Sequence, residues 1–197
     1  MINYSQASEN NKKPILAKLS QYLTPGSHVL EIGSGSGQHA TFFSANLPDI
    51  AWQPSDTHPY YDGLIHNLAR HGFDNIADPL HLNLLETEWQ LPVYDCIYSA
   101  NVIHIVSTEL VIALMDKAAE TVRPGGYLFI YGPFRYQSEF TTPSNAEFDQ
   151  WLKDRDPASG IKDIEWINEL ASKRGFSLLA DHPMPSNNQF LVYLNQS

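Results

Sequence analysis

The chain has a single cysteine, Cys96, in 197 residues, so no internal disulfide is available and nothing points to an oxidising compartment. No apolar run approaches the roughly 20 residues that a membrane helix requires. Positive charge is scarce: 12 Lys and Arg face 22 Asp and Glu, for a formal charge of -10. Nucleic-acid binding rests on clustered cations that meet phosphates. Only two short basic pairs occur, Lys12-Lys13 and Lys173-Arg174, so nucleic acid is not an expected partner. The given sequence opens without a basic-then-apolar leader, and a cytoplasmic setting is expected. Histidines are frequent, yet His58, His66, His71, His81, His104 and His182 fall in no H-E-x-x-H or similar ligand spacing, and no metal site is expected. No linker-like composition shift, repeat or low-complexity tract divides the chain, which predicts one domain over residues 1–197.

What the sequence does contain is centred on Val29-Leu30-Glu31-Ile32-Gly33-Ser34-Gly35-Ser36-Gly37, an apolar run that breaks into three alternating glycines and then into a helical pattern. Glycine reaches backbone angles closed to other residues and lets a ligand lie against the main chain beside the free N–H groups opening a helix. A P-loop would close with Gly-Lys-Ser/Thr, whereas Gln38 and His39 follow Gly37. The dinucleotide pattern G-x-G-x-x-G would require glycine where Gln38 stands. The remaining pattern, acidic-x-G-x-G-x-G from Glu31 to Gly37, resembles the first motif of the class I methyltransferases that bind S-adenosylmethionine.

The flanking segments read as alternating helices and strands. Ile15, Leu16, Leu19, Tyr22 and Leu23 recur at helical spacing over Ser8 to Leu23, with Asn10 to Pro14 at the start of that helix. A crossover helix follows Gly37, and a strand from Ile50 ends at Asp56. Asp56 lies about 20 residues beyond the glycines, where an acidic side chain at a strand tip accepts from both hydroxyls of a ribose; an Asp there also serves as an N-cap. A helix ends at Gly72, a third strand covers Leu80 to Leu84, and Asn83 with Leu84 stands at its tip, by an adenine or simply in a turn. Tyr94 to Ala100 is a fourth strand. The loop after it offers Asn101 and His104 on the side where ligands of open α/β sheets sit. His104 reads either as a general base near neutral pH or as a histidine packed under the next helix. That helix opens at Ser107 or Thr108 and ends at Arg123-Pro124-Gly125-Gly126, ahead of the apolar Tyr127 to Tyr131. Gly132 to Gly160 is irregular and long, the usual mark of a segment with a job, and is expected to act as a lid. Asp163 is expected to cap a last helix, and two closing strands, Phe176 to Ala180 and Gln189 to Leu194, imply an antiparallel hairpin.

The Pro-Gly-Gly turn before a fifth strand and the closing hairpin also resemble the class I methyltransferases. Glu9-x-Asn11-Lys12-x-Pro14-Ile15-Leu16, Val29 to His39, Pro54-Ser55-Asp56, Asn101-x-Ile103-His104, Gly132-Pro133-Phe134, Ser144-Asn145-x-x-Phe148-Asp149, Gly160-Ile161-x-Asp163 and Met184-Pro185-x-Asn187-Asn188 together look like the methyltransferase-like family that includes methyltransferase-like protein 26. The resemblance implies an α/β Rossmann-like sheet of seven strands in the order 3-2-1-4-5-7-6, the last antiparallel, with helices on both faces. It also implies S-adenosylmethionine as cofactor, held by Glu31, Gly33, Ser34, Gly35, Gly37, Asp56, Asn83 and Leu84, with Asn101 and His104 on the side of a small-molecule acceptor. Asn83 stands where the family tends to carry aspartate. Two alternatives stay open: a regulatory protein that binds the cofactor without turnover, and a nicotinamide-dependent oxidoreductase on the shared fold.

Overall fold

The computed structural model describes residues 1–197. In chain order the elements are α1 (Gln6–Leu19), β1 (His28–Ile32), α2 (Gln38–Asn46), β2 (Ala51–Asp56), α3 (Tyr61–His71), β3 (Leu80–His81) and β4 (Tyr94–Ala100). They continue with α4 (Thr108–Thr121), β5 (Val122–Gly132), β6 (Arg135–Tyr136), β7 (Glu139–Phe140), α5 (Pro143–Arg155), α6 (Ile164–Ser172), β8 (Phe176–Met184) and β9 (Asn188–Asn195). Seven strands form one sheet in the order β3-β2-β1-β4-β5-β9-β8, and β6 with β7 makes a separate two-stranded ribbon. Neighbours from β3 to β5 run parallel, and β9 runs antiparallel to both β5 and β8. This is the sheet expected from the methyltransferase resemblance, with β8 and β9 as its sixth and seventh strands.

Central strands are apolar on both faces because helices cover both. Leu30, Ile97, Leu128 and Ile130 point into one buried cluster, which α4 and α6 complete through Val111, Leu114, Met115, Ile167 and Ala171. Their alternates Val29, Cys96, Tyr98, Phe129 and Tyr131 point into the other, filled by Ile15 and Leu19 of α1, Phe43 of α2 and Leu64 of α3. Cys96 is a buried member of that second layer, and burial pushes its thiol up to about 12.

Several boundaries differ from the sequence reading: β5 begins at Val122 and takes in the expected Arg123-Pro124-Gly125-Gly126 turn, and four further differences follow. First, α1 begins at Gln6, capped by Ser5, whose side chain accepts the Ser8 N–H, and Pro14 lies inside it. An interior proline costs about 3 kcal/mol; the helix persists because Asn11, Ile15 and Leu19 form a buried stripe across it. Second, the third strand stops at His81, leaving Asn83 in the following turn. Third, Asp163 stands at the N-cap of α6 without a capping bond; its carboxylate turns to Arg135, 2.6 Å away. Fourth, β8 continues through Pro183 and Met184, which pair with Gln189 and Asn188. Proline is tolerated there because β8 is an edge strand, with no outer partner for its missing N–H. No helix is long and apolar enough to cross a membrane.

Candidate cofactor site

The glycine loop leaves the carboxyl end of β1 and is tied to β2. Gly33 and Ser34 donate their N–H groups to the Ser55 carbonyl, at 3.1 and 3.0 Å, and Ser34 Oγ accepts the Ser55 N–H at 3.1 Å. Gly33, Gly35 and Gly37 all have positive φ. Their environments differ in a way that spacing alone does not show. A Cβ on Gly33 would lie 2.5 Å from Val102 Cγ2, one on Gly37 would press on Leu64 and Leu68 at 3.0 Å, and one on Gly35 would meet nothing within 4 Å. Gly33 and Gly37 are thus small so that other parts of the protein can pack, while Gly35 fronts open space. Gly37 is the N-cap of α2 and supplies no capping side chain, so the first N–H groups of that helix lack a side-chain acceptor.

That open space is a cavity of about 570 Å³ beyond the carboxyl ends of β1, β2 and β4. It brings together Glu31, Gly33, Ser34, Gly35, Asp56, Asn83, Leu84 and Asn101. Gly37 and His104, also predicted as site residues, do not line it. Gly37 is occupied by its contacts with α3. His104 is 4% exposed, with its ring 5.5 Å from that of Phe148 of α5, and the missing side chain of Gly132 leaves room for it. Neither ring nitrogen of His104 has a hydrogen-bond partner in the protein, and burial, aided by the Lys162 charge, lowers its pKa to about 4. Residues 132–160, the expected lid, contribute no side chain to the cavity; they lie against His104, whose carbonyl accepts the Gly160 N–H at 2.9 Å.

The two acids at the strand tips are held differently. Glu31 is 2% exposed and accepts the Trp52 indole N–H at 2.8 Å. Burial raises its pKa to about 7, against the lowering effect of Trp52 and Ser34. Asp56 closes back on the loop: Oδ2 accepts the Gly35 N–H at 2.6 Å and Oδ1 accepts the Thr57 N–H at 2.8 Å. Burial still holds its pKa above the usual carboxylate range.

The sequence reading missed one wall of this cavity, which the chain's own N-terminal segment supplies through Asn3, Ser5 and Ser8. Two amide side chains hold that segment. Gln38 accepts the Ser5 N–H at 2.7 Å and donates to the Ser5 carbonyl at 3.2 Å. Asn67 accepts the Ile2 N–H at 2.9 Å and donates to the carbonyls of Ile2 and Ser36, at 2.8 and 2.9 Å. His39 also lines the cavity, and its Nε2 faces two acceptors, the Ser8 carbonyl at 3.2 Å and Asn11 Oδ1 at 2.7 Å. It therefore carries the proton, and Nδ1 accepts from the Tyr98 hydroxyl at 2.9 Å. Burial lowers the His39 pKa to about 4, so the ring is neutral and α1 is locked to α2 and β4. The serine cap at Ser5 was the one local signal for this segment.

Trp89 was missed as well. It lines the cavity, as do the apolar Leu82, Leu84, Val102 and Leu110 and the polar Ser5, Ser8 and Asn101. No Lys or Arg lines the cavity, and no group of three or more His, Cys, Asp or Glu is arranged to hold a metal ion.

Comparison with known proteins bears on the family and the fold. Residues 2–195 match the family described as "Protein of unknown function (DUF938)". The chain belongs to that family. Among solved structures, it superposes on an O-methyltransferase family protein from Burkholderia thailandensis with a TM-score of 0.81 and 17% identity, over 97% of this chain and 58% of that one. Human N-acetylserotonin methyltransferase in complex with S-adenosylmethionine matches with a TM-score of 0.77 and 15% identity, over 98% and 53% of the two chains. An O-methyltransferase family 2 protein from Planctomyces limnophilus, in complex with apigenin, gives 0.76 and 15%, over 95% and 59%. The DUF938 chain thus has the methyltransferase fold and spans a little over half the length of these neighbours.

Proposed function

We propose that this DUF938 protein binds S-adenosylmethionine in the cavity and transfers its methyl group to a small-molecule acceptor, as a member of the methyltransferase-like family that includes methyltransferase-like protein 26. The observation that carries the reading is that Gly35, Glu31 and Asp56 line one open cavity: a bare backbone stretch together with two acidic side chains. The open space that a Cβ on Gly35 would enter suits a ligand laid against the main chain, and the apolar lining that includes Trp89 suits a purine.

When bound, the cofactor supplies an activated methyl group on a sulfonium. The protein's own part is to bind, orient and exclude water. Glu31 accepts from the ligand's amino group, Asp56 from its ribose hydroxyls, and Asn83 and Leu84 meet the base. Ser5, Ser8 and Asn101 face the acceptor. Asn101 is held at φ 58, in the left-handed region that asparagine enters more readily than most side chains, and its side chain makes no hydrogen bond within the protein. His104, three residues on, is neutral with both nitrogens uncommitted, and because it packs on Phe148 outside the cavity lining it acts as a base only if its loop turns toward the acceptor. Segment 132–160 covers His104 and not the cavity itself. The absence of Lys and Arg from the lining favours a small neutral acceptor over a nucleic acid.

Calorimetric titration with S-adenosylhomocysteine tests the cofactor. Binding is expected, with at least about tenfold loss in Asp56→Ala. Asp56→Asn, which keeps an acceptor for the Gly35 N–H, should retain stability while losing affinity. A ligand at 100 times its Kd stabilises by about 2.7 kcal/mol, so thermal shift supplies a second readout. Stabilisation by NADH and not by S-adenosylhomocysteine would overturn the reading in favour of an oxidoreductase. Incubation with methyl-labelled cofactor and a metabolite extract separates turnover from binding alone.

A further inference from the structure

Resting on the cofactor reading above, we infer that the purine is read at Asn83 by a hydrogen-bond donor, so that this site does not demand the 6-amino group of adenine. Asn83 lines the cavity together with Leu84 and Trp89, in the turn that follows β3. Its two oxygens already bond within its own turn. The side-chain Oδ1 accepts the Leu85 N–H at 3.0 Å, the bond of an Asx turn. The backbone carbonyl accepts twice, from the Glu86 N–H at 3.1 Å and from the Trp89 indole N–H at 3.1 Å.

These bonds fix the orientation of the amide. A carboxamide whose oxygen is turned onto its own chain presents its NH2 group outward, and Asn83 Nδ2 has no partner in the protein. The adjoining Leu84 N–H is also without an acceptor. The same turn sets the aromatic wall: Trp89 is tied to the Asn83 carbonyl on one side, and the Lys117 ammonium lies 5.7 Å from its ring centroid. Lys117 is itself fixed by bonds to the Thr87 carbonyl and Glu120, both at 2.9 Å. The purine edge therefore meets donors beside a fixed indole. A donor matches a ring nitrogen or a 6-oxo group and gains nothing from a 6-amino group. An aspartate at 83 would keep one oxygen on the Leu85 N–H and turn the other outward as an acceptor, matching the 6-amino group and repelling a 6-oxo group.

The test compares Kd values for S-adenosylhomocysteine and S-inosylhomocysteine, which differ at the purine 6-position and N1, with the wild-type protein and Asn83→Asp. The wild type is expected to bind the two within about threefold of each other, and Asn83→Asp to prefer the adenosyl compound by tenfold or more, about 1.4 kcal/mol. Trp89→Leu should weaken both ligands alike, which separates the wall from the edge contact. If the wild type rejects S-inosylhomocysteine by tenfold or more, the inference is wrong and the cofactor reading stands. If Asn83→Asp leaves the ratio unchanged, Asn83 does not read the purine. If S-adenosylhomocysteine fails to bind the wild type at all, the cofactor reading fails and takes this inference with it.

Discussion

Ser5 and Gln38 hold each other through both backbone groups of the serine: the Ser5 N–H donates to Gln38 Oε1 at 2.7 Å, and Gln38 Nε2 donates to the Ser5 carbonyl at 3.2 Å. Gln38 occupies the position at which a dinucleotide-binding loop would have its third glycine. The side chain that excludes that reading also builds a wall, because Ser36 Oγ donates to the same Oε1 at 2.8 Å. Glycine loop, α2 and N-terminal segment thus meet in one amide.

Gln38→Ala should release that wall. Net hydrogen-bond contributions of about 1 kcal/mol each predict a modest loss of global stability but a large local effect. Amide hydrogen exchange at residues 2–8 should accelerate well beyond the change elsewhere, and S-adenosylhomocysteine should dissociate faster. Unaltered exchange in that segment would show that Asn67 alone holds it.

The glycines 33 and 35 look equivalent in the sequence and should respond differently to alanine. Both have positive φ, so each substitution carries a conformational penalty of about 1 kcal/mol. Gly33→Ala additionally drives a methyl group into Val102, whose Cγ2 stands 2.5 Å from the added atom, and overpacking of this kind costs about 1 to 3 kcal/mol more. Gly35→Ala meets no protein atom within 4 Å; its methyl group enters the ligand space. Chemical denaturation should therefore rank Gly33→Ala as the less stable variant, while titration shows Gly35→Ala with near-normal folding and weakened ligand binding. The reverse ranking would mean that the loop rearranges around position 33.

The sheet was legible in the sequence because each strand carried its own signal. Alternate residues of Tyr94 to Ala100 and Tyr127 to Tyr131 fill two buried layers, and glycine or proline punctuates their ends. Gly33, Gly35, Asp56 and Asn101 were legible as cavity lining because they stand at or just past the ends of β1, β2 and β4, whereas Asn83 lies in the turn two residues beyond β3 and Gly37 faces α3. Residues placed by contacts distant in sequence were not legible. Ser5 lines the cavity because Gln38, 33 positions away, holds it, and Trp89 because its indole returns to the Asn83 carbonyl. His104 shows the converse. Its place after β4 was read correctly, but its distance from the cavity depends on Phe148 and Gly132, which no local pattern connects to it.

Three buried titratable groups around the site make stability depend on pH in opposite directions. His39 and His104 have folded pKa values near 4, below the 6.5 of a free histidine. Below pH 6.5 the unfolded chain binds protons that the folded rings refuse, so their contribution is intact above pH 6.5 and is lost as pH falls toward 4. Glu31 is reversed: its folded value near 7 lies above the free value of 4.5. The folded protein keeps that proton through a range in which the unfolded chain has released it, so stability falls as pH rises from about 4.5 to 7. At 1.36 kcal/mol per unit, each of the three is worth on the order of 3 kcal/mol. The two histidines together outweigh the one acid, and wild-type stability is expected to decline from pH 6.5 to pH 4. Glu31→Gln retains an oxygen for the Trp52 indole and has no proton to lose. It should therefore be more stable than the wild type at pH 8, with the advantage shrinking to nothing near pH 4, when urea midpoints are compared across that range. An advantage that stayed constant with pH would mean that Glu31 is already ionised in the folded protein, and that the carboxylate meets the cofactor's amino group without first releasing a proton.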